Sequence, residues 1–120
     1  MYKIKIFSER DAHQLVELIK IFLRPDQYQL TDDTHDCILI NEAGSSDWKQ
    51  IGRELYDKLA VLTGKRPEWG ILTGIRPVKL CSEILDAEGS EEKVREILLS
   101  QYYLSEEKAE LILDICRYQR

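Results

Sequence analysis

A guanidinium and an ammonium stand three positions apart at what reads as the start of a helix. Residues 69–80 are WGILTGIRPVKL. Pro77 suits the first helical position, where a missing N–H costs nothing. Arg76 then falls at the open amide end of that helix, and Lys79 lies one turn in. The free backbone N–H groups and the helix dipole favour an anion there. Arg76 adds a planar, permanently charged fork suited to a carboxylate. Thr73 and Gly74 break the preceding apolar run, so the candidate contact set for a carboxylate or phosphate is Thr73, Gly74, Arg76 and Lys79. The stretch is not a P-loop, because the glycines are too few and the Gly-Lys-Ser/Thr ending is missing. The alternative is that Arg76 ties its loop to a buried acid, or to the carbonyls of another helix. No nucleophile–base pair and no paired carboxylates stand out, so the sequence offers no catalytic group of its own.

Composition narrows the classes. With 120 residues, 43% apolar and 32% charged, the chain is long enough for a packed core and has the balance of a globular protein. The net charge of -5 argues against a nucleic-acid binder, which ordinarily shows a basic face. The charge is uneven: residues 65–80 hold Lys65, Arg66, Arg76 and Lys79 against Glu68 alone, and an acidic stretch, 82–96, follows. A basic island in an acidic chain hints at an anionic partner; the plainer reading is that these cations pair with neighbouring acids. No apolar run approaches the ~20 residues that cross a bilayer. The opening MYKIKIFSER reads as a strand rather than a signal peptide, so a cytoplasmic protein is expected. Cys37, Cys81 and Cys116 are far apart, with no CxxC spacing, and read as small core residues rather than ligands. His13 and His35 read as solvated or structural.

The elements that must position these residues follow from periodicity. Residues 2–7 alternate as a strand. Ser8 and Asp11 form a capping pattern, with Phe7 stapled on Ala12, ahead of a helix whose stripe is Ala12, Leu15, Val16, Ile19, Phe22 and Leu23; Arg24-Pro25 ends it. Residues 27–31 and 37–40 read as two strands around an Asp32-Asp33-Thr34 turn, a possible hairpin, the second covered on both faces. Ser46 is expected to cap a helix with the stripe Trp48, Ile51, Leu55, Leu59 and Leu62, stopped by Gly64. Residues 68–72 read as a short strand or extended segment. Three helices follow: one from Pro77 to the stop at Gly89, one capped by Ser90 and one capped by Ser105. The fold class expected is α+β: a small β-α-β-β-α unit over 1–66, then a cluster of three short helices over 67–120 that carries the GIRPVK motif. The two together read as one domain or two tightly joined subdomains.

WGILTGIRPVKL, followed by the helical stretch YLSEEKAELILDIC, resembles the N-terminal region of HemZ-type, oxygen-independent coproporphyrinogen III oxidase-like proteins (coproporphyrinogen dehydrogenases). The likeness covers 69–79 well, 103–116 fairly, and the first 66 residues only in overall pattern. The family often carries threonine where this chain has Val78, so a hydroxyl role is not carried over. These are radical S-adenosylmethionine oxidoreductases of haem biosynthesis. The resemblance implies a following catalytic barrel in the same polypeptide, whose CxxxCxxC thiolates hold a [4Fe–4S] cluster that binds S-adenosylmethionine. Cys37, Cys81 and Cys116 do not match that motif. The chain is thus expected to be a non-catalytic accessory domain, with no cofactor or metal of its own and with Arg76 and Lys79 placed to pair with a substrate propionate. Two other classes stand beside it: a free-standing protein-interaction or small-anion-binding module, and a helix-turn-helix reader of nucleic acid. The acids Glu106, Glu107, Glu110 and Asp114 argue against the last. No membrane or nucleic-acid partner is expected.

Overall fold

A computed structural model describes residues 2–7, 13–33, 35–73 and 76–119. It is mixed α+β, a small parallel sheet with five helices. The chain divides into two compact units, Met1–Pro67 and Glu68–Arg120. Among the described residues no helix is long and apolar enough to cross a membrane.

The first unit runs β1 (Tyr2–Ile6), α1 (His13–Phe22), β2 (Tyr28–Leu30), β3 (Ile38–Ile40) and α2 (Trp48–Thr63). The sheet has the order β2-β1-β3, and both outer strands run parallel to β1. This corrects the hairpin reading: β2 and β3 never pair. The intervening turn chemistry is present but serves a longer path. Thr31 Oγ1 accepts from the Asp33 N–H (3.1 Å), Asp33 Oδ1 accepts from the His35 N–H (3.0 Å), and Asp36 sits at φ 52°. Lys5 Nζ holds the Asp32 oxygen at 3.1 Å, so the connection passes β1 instead of turning back on β2. Nor is β3 covered on both faces: Ile38 and Leu39 are half-buried and only Ile40 is enclosed.

Ile4, at the centre of the central strand, and Ile40 are fully buried. The helix stripe on α1 is Leu15, Leu18, Ile19 and Phe22, with Val16 only half-buried. Ser8, Asp11 and Ala12, the expected cap and staple, lie outside the described residues. On α2 the buried side is Ile51, Leu55, Tyr56, Leu59 and Ala60, turned from the expected stripe, so Leu62 is exposed and Trp48 half-buried. Tyr56 draws the helix round: its ring meets Phe22 edge to face at 5.2 Å, and its hydroxyl donates to the Pro67 oxygen at 2.9 Å. Burial pushes the Tyr56 phenol up, partly offset by the Arg66 charge. The cap of α2 is Asp47 rather than Ser46; its carboxylate accepts from the Lys49 N–H at 3.0 Å. A charged acceptor directly before the first turn outcompetes a hydroxyl one residue further out. Gly64 ends the helix at φ 74°.

The second unit packs α3 (Pro77–Glu88), α4 (Glu91–Ser100) and α5 (Glu106–Gln119) pairwise on one another. Its core is Cys81, Val94, Leu98, Ala109, Ile112, Leu113 and Cys116, closed by Ile71, Leu72, Tyr102 and Leu104. Ser90 and Ser105 cap as read, accepting from the N–H groups of Lys93 and Lys108. Residues 68–71 form a turn, not a strand. Gly70 adopts φ 60°, and the turn is clasped to the α4–α5 connection by two main-chain bonds, Ile71 N–H to Tyr102 O (2.9 Å) and Ser105 N–H to Glu68 O (2.8 Å). Across α4 and α5 run Arg117–Glu91 (2.7 Å) and Arg95–Glu110 ion pairs.

Candidate functional site

The motif's helix is built as its residues demand. Arg76 is the N-cap residue of α3, in extended conformation (φ -78°, ψ 108°), and Pro77 opens the first turn. The Arg76 side chain makes no capping bond, and α3 has no acid in its first turn. Arg76 and Lys79 are both exposed, and neither side chain has an ion-pair or hydrogen-bond partner among the described residues. That leaves a cation pair at the amide end of a helix of twelve residues, with no described carboxylate of this chain bound to it. Thr73 is half-buried. Gly74 lies outside the described residues.

The wider basic run does not act as one patch in either unit. Lys65 and Arg66 belong to the first unit, where Lys65 Nζ donates to the Phe22 carbonyl at 3.3 Å and so ends α1. Trp69, beside the motif, is 37% exposed and carries the Lys108 ammonium 5.3 Å from its ring centre.

The first unit holds a second candidate that the sequence reading missed. A cleft of about 890 Å³ opens at the carboxyl ends of β1 and β3, lined by Lys5, Phe7, Asp32, Asn41, Glu42 and Trp48 among others. The strand order reverses there, from β2 on one side of β1 to β3 on the other, and open parallel sheets take ligands at such points. Its floor is fixed by Asn41, 3% exposed and at φ 64°. The Asn41 amide donates to the Phe7 oxygen (2.6 Å) and the Ser45 oxygen (2.9 Å), and its own oxygen accepts from the Ser45 N–H (2.9 Å). The cleft is not an anion trap. Asp47 already occupies the amide end of α2, Asp32 and Glu42 bring carboxylates, and Lys5 lies over the Phe7 ring at 5.0 Å. The signal that would have found it is the strand–helix–strand order itself, which demands a parallel crossover.

The cysteines do not suit an iron–sulfur cluster. Cys37, in the first unit, donates its Sγ–H to the Asp33 oxygen at 3.1 Å, while Cys81 and Cys116 are enclosed in the apolar core of the second. Among the described residues no three metal-ligating side chains converge.

No family model matches the chain, and neither do any of the curated proteins or solved structures with which it was compared.

Proposed function

We propose that this chain is the N-terminal accessory part of an oxygen-independent coproporphyrinogen III oxidase-like radical S-adenosylmethionine enzyme. In this reading Arg76 and Lys79 receive a carboxylate, either a propionate of the tetracarboxylate substrate or an acid of the catalytic barrel. The cluster and S-adenosylmethionine belong to that barrel, in the same cytoplasmic polypeptide. The single observation that supports the reading is the exposed Arg76–Lys79 end of α3, whose two side chains have no partner among the described residues, in the stretch that carries the resemblance. A chain whose net charge is -5 has acids to spare for pairing two cations, yet no described acid is bonded to these two. Such a pair is suited to a bidentate partner brought from outside.

Titration of the chain with coproporphyrin III, followed by porphyrin fluorescence, tests the contact. Arg76→Ala and Lys79→Ala are each expected to weaken binding roughly tenfold, as loss of a charge-assisted contact does. Unchanged binding by both variants removes the substrate contact. Membership is tested separately by reading the open frame beyond residue 120 for a CxxxCxxC triplet; its absence removes the parent enzyme.

A further inference from the structure

The sheet has two edges, and they are treated differently. In a parallel ladder the N–H and C=O of one residue point the same way, and alternate residues face opposite neighbours. On β3, Ile38 and Ile40 face β1, as the Phe7 N–H to Ile40 oxygen bond (2.9 Å) shows. The outward groups there include the Leu39 carbonyl and the Asn41 N–H. Both are taken by α2: Lys58 Nζ donates to the Leu39 oxygen, and Glu54 accepts from the Asn41 N–H at 2.9 Å.

On β2 the bonds to β1 come from Gln27, whose oxygen accepts from the Tyr2 N–H (2.8 Å), and from Thr31, whose N–H donates to the Ile4 oxygen (3.0 Å). The outward residues are thus Tyr28 and Leu30. Their main-chain groups have no partner among the described residues. Register places Tyr28 and Leu30 on the same face as Tyr2 and Ile4, yet Leu30 is 46% and Tyr2 40% exposed, so this border of the face is apolar and uncovered. β2 is short, at three residues, but Tyr28, Gln29 and Leu30 include no charge and no proline, two of the devices that blunt an edge.

We infer that the β2 edge is a docking edge for an extended segment of a protein partner, with apolar residues at alternate positions and Lys or Arg flanking them. The main chain of such a segment satisfies Tyr28 and Leu30, and its apolar side chains cover Leu30 and Tyr2. The flanking cations follow from what frames the strand: Asp26 before it, Asp32 and Asp33 after it, all exposed. Arg24 pairs with Asp26 at 3.4 Å and Lys5 Nζ bonds the Asp32 main-chain oxygen at 3.1 Å, which leaves the Asp32 and Asp33 carboxylates without an ion pair among the described residues. The same frame disfavours a second copy of this chain. Antiparallel pairing of two β2 strands about Gln29 sets Asp26 of each copy opposite Asp32 of the other, a repulsive cross-strand pair. This inference concerns the first unit and stands apart from the Arg76 reading.

The test is a nitrogen–proton correlation titration of the full chain with a peptide of sequence Lys-Lys-Thr-Val-Thr-Val-Thr-Lys-Lys, and with the same peptide carrying Glu for each Lys. Saturable shifts centred on the Tyr28 and Leu30 amides are expected, with the Glu peptide at least roughly tenfold weaker. Leu30→Pro removes an N–H that serves no bond among the described residues, and is expected to weaken binding roughly tenfold. Leu30→Lys, at an exposed position, keeps the fold and repels the basic peptide, so it decides the matter if the proline variant does not fold. Absence of saturable shifts at millimolar peptide, equal affinity for both peptides, or shifts centred on Asn41 overturns the inference. So does concentration-dependent movement of the Tyr28 and Leu30 amides without peptide, which would assign the edge to a second copy.

Discussion

Glu54 and Lys58 sit one turn apart on α2 with their charged ends 3.2 Å from each other, and between them they close the β3 edge of the sheet. A surface pair at this spacing is ordinarily worth a few tenths of a kcal/mol. This one also satisfies two outward main-chain groups, so its members are unequal. Glu54 accepts the N–H of Asn41, which is buried; Lys58 is itself 43% exposed and bonds a half-buried carbonyl.

Glu54→Ala is therefore expected to cost about 1–2 kcal/mol, because the Asn41 N–H is left without its acceptor. Lys58→Ala is expected to cost under about 1 kcal/mol, since water replaces the ammonium. Urea unfolding midpoints of the two variants measure the difference; a Lys58 effect equal to or larger than that of Glu54 contradicts the account.

Asn41 unites the ends of β1 and β3 with the loop into α2, and it does so in a left-handed conformation, φ 64°. Asn41→Gly and Asn41→Ala both lose the amide. Only alanine also carries a Cβ into that backbone region, at about 1 kcal/mol. Alanine is expected to be the less stable of the two by that amount in chemical denaturation, with each at least about 2 kcal/mol below the parent. Equal stability of the two would show that the backbone conformation carries no cost here.

What the sequence disclosed was whatever a residue does to its near neighbours. Pro77 at the start of α3, Gly64 and Gly89 at helix ends, and Ser90 and Ser105 as caps each act within a few residues, and the chain folds accordingly. The α+β class follows from those helices and from the alternation in β1. The pairing of β2 and β3 was not legible, because it depends on where distant β1 hydrogen-bonds, and a turn signal such as Asp32-Asp33 says that the chain bends without saying how far it travels. The stripe of α2 was misread at Leu62 because Tyr56, read by pattern alone, gives no sign that Phe22 and Pro67 await its ring and hydroxyl. At the candidate site, the placement of Arg76 ahead of Pro77 was readable from local rules, whereas the cleft beside Asn41 required the strand order.

Gly70 was equally silent. A Cβ built on it would lie 2.0 Å from the Tyr102 carbonyl oxygen, a main-chain atom that cannot swing away. Its φ of 60° adds to the cost. Gly70→Ala is expected to break the clasp between the 68–71 turn and the α4–α5 connection, at more than about 3 kcal/mol. Gly89, also at positive φ but with open space where a Cβ would go, is the control: Gly89→Ala is expected to cost about 1 kcal/mol. Helical circular dichroism followed through thermal unfolding separates the two, and comparable losses would refute the close-approach argument.

The charge ladder between α4 and α5 makes the second unit sensitive to acid. The hydrogen bond from Arg117 holds the Glu91 carboxyl below the usual carboxylate range; desolvation opposes it, and the guanidinium charge adds a smaller lowering. A carboxyl whose folded value is depressed contributes stability above its unfolded value, and that contribution is lost as pH falls through the folded one. Below that point Glu91 is neutral in both states and the bond at 2.7 Å loses its ionic part. Arg117→Gln is expected to return Glu91 to the ordinary carboxylate range in a carbon-detected titration, and to flatten the acid limb of stability in the region where Glu91 titrates. Because Arg117 also contacts Asp114 at 2.6 Å on its own helix, Asp114→Asn serves as the control. It keeps the contact between helices, so Glu91 should stay depressed; a Glu91 value that rises as far in Asp114→Asn as in Arg117→Gln would show that the ladder does not work through this pair.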